Sequence, residues 1–144
     1  LALSGRAAGA PPVDVVDLGC GTGLCAPLLR PAAQTLVGVD LSEGMLAQAR
    51  ERGGYDALHR EDLVEHLRAR PATYDLAVSA DVLVYIGDLA PLFGAAHQAL
   101  RPGGRLAVSV EHLDGDGRYE LQPTRRYKHT RGYVEATARA AGFT

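Results

Sequence analysis

The run Val15 to Gly23, VVDLGCGTG, constrains this chain more than any other stretch. Two β-branched residues lead into an acid, and then glycines alternate with small or polar residues. A buried strand is stopped there by a glycine-rich turn with a carboxylate at the strand end, and a helix is expected from Gly23 to Arg30. Glycine permits positive φ and lets a ligand approach bare backbone. Helix N-terminal N–H groups aimed at that ligand would complete a small-molecule cofactor site.

The remaining elements read as an alternation. Strands are expected at Val13 to Asp17, Thr35 to Asp40, Tyr55 to His59, Tyr74 to Ser79 and Arg105 to Glu111. Ser42 reads as an N-cap, with Met45, Leu46 and Ala49 facing the core and Gly53–Gly54 ending that helix. Asp62 with Glu65 forms an Asp-capped variant of the capping box, opening a helix to about Arg70. Asp88 to Leu100 carries Leu89, Leu92, Phe93, Ala96 and Leu100 on one face. Pro102, Gly103 and Gly104 form a turn, His112 to His129 reads as irregular, and Thr130 to Ala141 forms a last helix. Such alternation means βαβ units, a parallel sheet and helices on both of its faces, an α/β fold.

Composition narrows the function classes. The chain has 144 residues, 47% hydrophobic and 22% charged, enough for one globular domain with a real core. A net charge of −2 does not suggest a nucleic-acid footprint. No apolar run has the ~20 residues needed to cross a bilayer, and no signal peptide is expected. Only Cys20 and Cys25 are present, so a disulfide framework is not indicated and a reducing cytoplasm is the expected setting.

Asp40 closes the second strand, a position that overhangs the same crevice as the glycine turn and suits a ribose diol. It could equally cap the helix that starts near Ser42. A dinucleotide fingerprint would place its last glycine at position 24, where Leu24 stands. An acid inside the motif, Asp17, would repel a pyrophosphate and better suits a ligand carrying an ammonium group.

With these features in view, DLGCGTG resembles motif I of the class I S-adenosylmethionine-dependent methyltransferases. VDLS (Val39–Ser42), EDL (Glu61–Leu63) and LRPGGRL (Leu100–Leu106) resemble their later motifs in order. More narrowly, ADVLVYIGDLAPLF, SVE and YELQPTRRYKH are similar to bacterial methyltransferases associated with tetratricopeptide repeats, although no repeats are visible. The resemblance implies a Rossmann-like three-layer sandwich with parallel sheet order 3-2-1-4-5. The family's usual C-terminal antiparallel hairpin, strands 6 and 7, is absent, which would leave the fifth strand as an edge. Residues 1–12 read as a lead-in, the remnant of an N-terminal cap, and residues 13–144 as the methyltransferase domain, expected to be cut short at both ends.

The resemblance also implies roles by position. Gly19, Cys20 and Gly21 would face the methionine part of S-adenosylmethionine, with Asp17 near its amino group. Asp40 would hold the ribose, Leu41 and Met45 would pack on the adenine, Asp62 would accept from the adenine amino group, and Leu63 would cover the ring. The Ala80 carbonyl would meet the ammonium. Core packing for Met45 and Leu63, and N-capping for Asp62, are the plainer readings of the same residues. No metal is implied.

Methyl transfer needs alignment more than a base. Asp81, Tyr85, Glu111, His112 and His129 are candidates for proton transfer, and none is assigned; His112 and His129 read equally as surface residues. His112 to Arg131, with its run of Arg, Lys and Tyr, is the expected substrate cover, either a patch for an acidic substrate or a solvated hairpin. The expected activity is methyl transfer to a small-molecule acceptor. A nicotinamide-dependent oxidoreductase, a non-catalytic nucleotide-binding domain and a macromolecular methyltransferase are the alternatives. The oligomeric state is left open.

Overall fold

A computed structural model describes residues 10–144. Of the expected lead-in, residues 1–9 lie outside the described residues, and residues 10–12 form neither helix nor strand. The elements run β1 (Val13–Leu18), α1 (Ala26–Leu29), a 3-10 turn (Arg30–Ala32), β2 (Ala33–Asp40), α2 (Glu43–Arg52), β3 (Ala57–Arg60) and α3 (Leu63–Arg68). They continue through β4 (Tyr74–Ser79), a second 3-10 turn (Leu83–Tyr85), α4 (Ala90–Ala99), β5 (Leu100–Val108), β6 (Glu111–His112), β7 (Tyr119–Leu121), β8 (Tyr127–His129) and α5 (Arg131–Ala140).

The main sheet has the order β3-β2-β1-β4-β5, and every pairing is parallel. It is sandwiched because its central strands are apolar on both faces. Val16 and Leu18 point into one layer with Leu67 of α3 and Leu92, Phe93 and Ala96 of α4. Val15, Leu36, Leu76 and Val78 point into the other, against Ala26 and Leu29 of α1. Full burial of each large apolar side chain contributes about 1.5–3 kcal/mol, so the faces of β1 and α4 dominate the hydrophobic stabilisation. No described helix is long and apolar enough to cross a membrane.

Local capping behaves as the residue types dictate. The Ser42 hydroxyl accepts the Met45 amide, the Asp62 carboxylate accepts the Glu65 amide and the Thr130 hydroxyl accepts the Tyr133 amide. Pro91 stands in the first turn of α4, where its missing N–H costs nothing.

Four expectations need correction. The helix expected over Gly23 to Arg30 is a single turn, because Gly23 sits at φ 89° and Pro31 cannot extend the ladder. β5 begins at Leu100 rather than Arg105: Tyr74 pairs with Leu100 and Leu76 with Arg105, so the Pro-Gly-Gly turn is a bulge inside the strand. The third strand starts at Ala57, because Tyr55 is drawn away toward β1. Residues 112–129, read as irregular, contain a second sheet of order β6-β8-β7. Strands of two or three residues are too short for alternation to reveal them.

The amino end of the main sheet is cross-braced. Arg101 donates to Asp14 and Asp75 at 2.9 Å each, and the Thr35 hydroxyl donates to Asp14 at 2.7 Å. The Thr35 bond, aided by Arg101, holds the Asp14 carboxyl below the usual range despite some burial. The carboxyl end is built differently, as described below.

Two substitutions in α4 test this packing. Phe93→Ala should lower stability by about 3–5 kcal/mol through the cavity it leaves. Gly94→Ala, where a Cβ would meet nothing within 4 Å, should raise it by about 0.4–1 kcal/mol. Urea denaturation of both variants measures each change.

Candidate active site at the carboxyl edge

Leu18 pairs with Val39, Asp17 with Val78 and Asp40 with Arg60. The residues that follow β1, β2, β3 and β4 therefore gather along one edge. The strand order reverses between β1 and β4, the point where open α/β sheets bind ligands.

The glycine loop turns back on β2. The Gly19 and Cys20 amides both donate to the Val39 carbonyl, at 2.7 and 3.0 Å. Gly19, Gly21 and Gly23 take φ values of 71°, 56° and 89°. Their surroundings differ. A Cβ on Gly21 would meet nothing within 4 Å, so that backbone is open to a ligand. A Cβ on Gly19 would overlap the Val82 side chain, and one on Gly23 would lie 3.2 Å from the Tyr55 ring. Only Gly21 matches the simple picture of glycine as ligand access; Gly19 and Gly23 are also required by protein packing. With α1 a single turn, little helix dipole is directed at the crevice, and the Gly19, Cys20 and Gly21 amides are engaged by Val39 and Asp40.

Asp40 braces the loop and the entry to α2 together. Its carboxylate accepts the Gly21 amide at 3.0 Å and the Ser42 amide at 2.9 Å. It thus steers entry to α2 while bracing the loop. Each oxygen keeps capacity for a further donor.

Asp17 is buried, and the Tyr55 hydroxyl donates to it at 2.6 Å. Burial raises the Asp17 pKa, opposed by the Tyr55 bond, while the Asp40 charge raises it further. Tyr55 is pushed far above the usual phenol range by burial and by Asp17. Its ring fits because Gly38 has no side chain: a Cβ there would stand 3.0 Å from the ring and 2.6 Å from Leu58. The Cys20 thiol is pushed up to about 12, by burial first and then by Asp17 and Asp40. Burial raises Cys25 as well, which disfavours the thiolate form of both thiols.

Leu46 and Ala49 are fully buried, whereas Met45 is 44% exposed, so the expectation that Met45 faces the core fails. Met45 and the 61%-exposed Leu41 instead leave apolar surface beside Asp40. Asp62 caps α3, and Leu63 packs partly into the core. Glu61 beside them is held by Arg70 at 3.2 and 3.3 Å and by buried His66 at 3.1 Å. Ala80 follows Ser79, whose hydroxyl donates to the Leu18 carbonyl at 3.3 Å and locks β4 to β1.

The proton-transfer candidates separate. His112 is exposed and paired with Asp114. His129 is fully buried, with Nε2 at 3.0 Å from the Gly87 carbonyl, so the surface reading fails for it. Asp81, Tyr85 and Glu111 meet around Arg126. Three cations of the run are engaged by the protein itself. Arg126 is paired with Glu111 and Asp81, Arg131 with Glu135, and Arg118 lies over the rings of Tyr119 and Tyr133. Sequence reasoning misses Tyr55 and Val82 beside the loop, and it places Arg126 in the cover without its partners Asp81 and Glu111; a buried acid such as Asp17 signals that some donor exists but not which.

Residues 16–108 match the family model of a methyltransferase domain. The ubiquinone biosynthesis O-methyltransferase of Sodalis glossinidius is 31% identical over 101 residues, which is 67% of this chain and 41% of that protein. Its counterpart from Dinoroseobacter shibae is 32% identical over 99 residues, 67% of this chain and 40% of that protein. The match thus spans about two-fifths of these relatives' length. Among solved structures, an S-adenosylmethionine-dependent methyltransferase from Mesorhizobium loti superposes with TM-score 0.77 at 30% identity, covering 96% of this chain and 77% of that one. The 1,6-didemethyltoxoflavin-N1-methyltransferase of Burkholderia thailandensis, bound to S-adenosylhomocysteine, gives 0.76 at 26% identity, covering 93% and 61%. The [4+2]-cyclase SpnF gives 0.78 at 25%, covering 92% and 52%.

The raised Asp17 pKa has a definite sign. The folded chain keeps a proton that the unfolded chain releases just above pH 3.8, so Asp17 opposes folding as pH rises through its folded value. Asp17→Asn should melt above the parent protein at about pH 8, with the gap closing toward about pH 4. Thermal melts across that range, without added ligand, decide it.

Proposed function

Because the chain belongs to the methyltransferase-domain family matched by residues 16–108, we propose that it uses S-adenosylmethionine to methylate a small-molecule acceptor. The observation that carries this reading is the Asp40 carboxylate, braced by two amides beside the open Gly21 backbone. That arrangement suits a ribose diol next to a ligand lying on the loop. The Burkholderia relative holds S-adenosylhomocysteine on the same fold, which supports the same cofactor here.

The residues present fit that cofactor. Asp40 would accept the ribose hydroxyls with charge-assisted bonds. Leu41 and Met45, left exposed beside it, would pack on the adenine, with Leu63 covering the ring and Asp62 accepting from its amino group. Gly19, Cys20 and Gly21 would present backbone to the methionine part. Ala80 would offer its carbonyl to the ammonium. Asp17, shut away under the loop and bonded to Tyr55, would act through its field rather than by contact. When bound, S-adenosylmethionine supplies an activated sulfonium methyl group. The chain's own contribution is then alignment and exclusion of water, which can account for much of such an acceleration.

The O- and N-methyltransferases among the relatives support a small acceptor. The narrower likeness to the methyltransferases associated with tetratricopeptide repeats rests on residues 80–93, 109–111 and 119–129. We assign the domain to residues 13–144 and its setting to a reducing cytoplasm, in keeping with two free cysteines. The likeness to a [4+2]-cyclase favours a second reading, in which the same fold carries another acceptor chemistry.

Calorimetric titration tests the cofactor. S-adenosylhomocysteine should bind one to one at micromolar levels, and NAD should give no heat. Asp40→Asn should weaken binding ~10–100-fold, the loss of charge-assisted bonds of about 1.5–3 kcal/mol. NAD binding without S-adenosylhomocysteine binding would overturn the proposal, and turnover of labelled methyl to any acceptor separates methyl transfer from the second reading.

A further inference from the structure

Arg126 joins three separate segments. Its Nε donates to Glu111 at 2.6 Å, just beyond β5. Its Nη2 donates to Asp81 at 2.9 Å, 45 positions away and just beyond β4. Its guanidinium carbon stands 5.7 Å from the ring centre of Tyr85, an exposed aromatic in the turn after β4.

The hairpin that carries Arg126 has little freedom. Gln122 donates to the Arg126 carbonyl and Arg125 to the Gln122 carbonyl, both at 2.9 Å, closing the β7–β8 turn. Behind it, buried His129 bonds the Gly87 carbonyl, and its ring stacks on Tyr133 at 12°. A Cβ on Gly87 would stand 2.8 Å from the Tyr119 ring and 2.9 Å from the Tyr127 ring, so hairpin and turn are closely packed. Arg126 therefore reaches Asp81 from a fixed direction.

Asp81 needs holding. Its φ of 59° lies in the left-handed region, an unfavourable backbone state for a residue with a side chain. Aspartate enters that state more readily than most residues, yet still at a cost that its surroundings must offset. Two contacts do so: the Asp81 amide donates to the Ser109 hydroxyl at 2.8 Å, and the Asp81 carboxylate is held by Arg126. The residue immediately before it is Ala80.

We propose that Arg126 is a positioning residue for cofactor binding, holding Asp81 in its left-handed conformation and so fixing the Ala80 carbonyl. This rests on the methyltransferase reading, in which that carbonyl meets the cofactor ammonium. The hairpin that covers the acceptor side and the peptide that meets the cofactor then form one unit. By linkage, cofactor binding should steady the hairpin as much as the hairpin aids binding.

The experiment is S-adenosylhomocysteine titration of the whole chain, with a thermal melt of each variant. Arg126→Gln should weaken affinity about tenfold while keeping a cooperative melt. Glycine takes a φ of 59° without help, so adding Asp81→Gly to Arg126→Gln should restore affinity to within about threefold of the parent. A role limited to bracing the hairpin predicts no such rescue. Should Arg126→Gln not fold, Asp81→Ala, which removes the carboxylate and keeps the cost of the left-handed backbone, carries the same expected loss and Asp81→Gly the same retention. Affinity unchanged within about twofold in Arg126→Gln, or a double variant no better than the single, overturns this inference alone. Absence of binding by the parent protein overturns the methyltransferase reading, and this inference with it.

Discussion

Asp40 shares its carboxylate between the Gly21 and Ser42 amides, so one acid at the end of β2 fixes both the loop after β1 and the entry to α2. The glycine loop has few other ways to hold its shape. It lacks side chains to pack, and glycine loses more backbone entropy on ordering than any other residue. The Val39 carbonyl, accepting both the Gly19 and Cys20 amides, supplies the second restraint. Together they bend the chain back before α1 begins, and the entry to α2 is set by the same acid.

The two ends of the sheet carry different physics. At the amino end, Arg101, Asp14, Asp75 and Thr35 form mutually favourable pairs. At the carboxyl end, Asp17 is buried against its preference for water, Asp81 sits in a left-handed backbone state, and Leu41 and Met45 leave apolar surface exposed. Each of these is unfavourable for the folded chain by itself. Unfavourable features of this kind often gather where a ligand binds, but they are not confined to this edge: Ala72, just before β4, also takes a positive φ.

Much of the frame was readable because its causes are local. Ser42, Asp62 and Thr130 cap their helices through amides three residues on, and the apolar face of α4 declares itself at helical spacing. Asp40 was legible as a residue beside the loop because it ends the neighbouring strand. The misreadings share a different cause. Tyr55 reaches Asp17 across 38 positions and Arg126 reaches Asp81 across 45, and no local pattern encodes such pairs. The β6–β8 sheet consists of strands too short to show a period, and His129 is buried by rings brought in from β7, β8 and α5.

By itself the sequence determined the alternation of strands and helices, the parallel sheet and the placing of a glycine turn and two acids beyond its strands. Periodicity, capping and glycine's backbone freedom act over a few residues and survive without knowledge of the fold. Only the tertiary structure decided what each glycine is for, which acid is buried and protonated more readily, and where the positive charge of the cover is directed. Those outcomes depend on burial and on pairs distant in sequence. Burial sets the desolvation that moves the Asp17 pKa, and chain folding brings Val82 to Gly19, Tyr55 to Gly38 and Arg126 to Asp81.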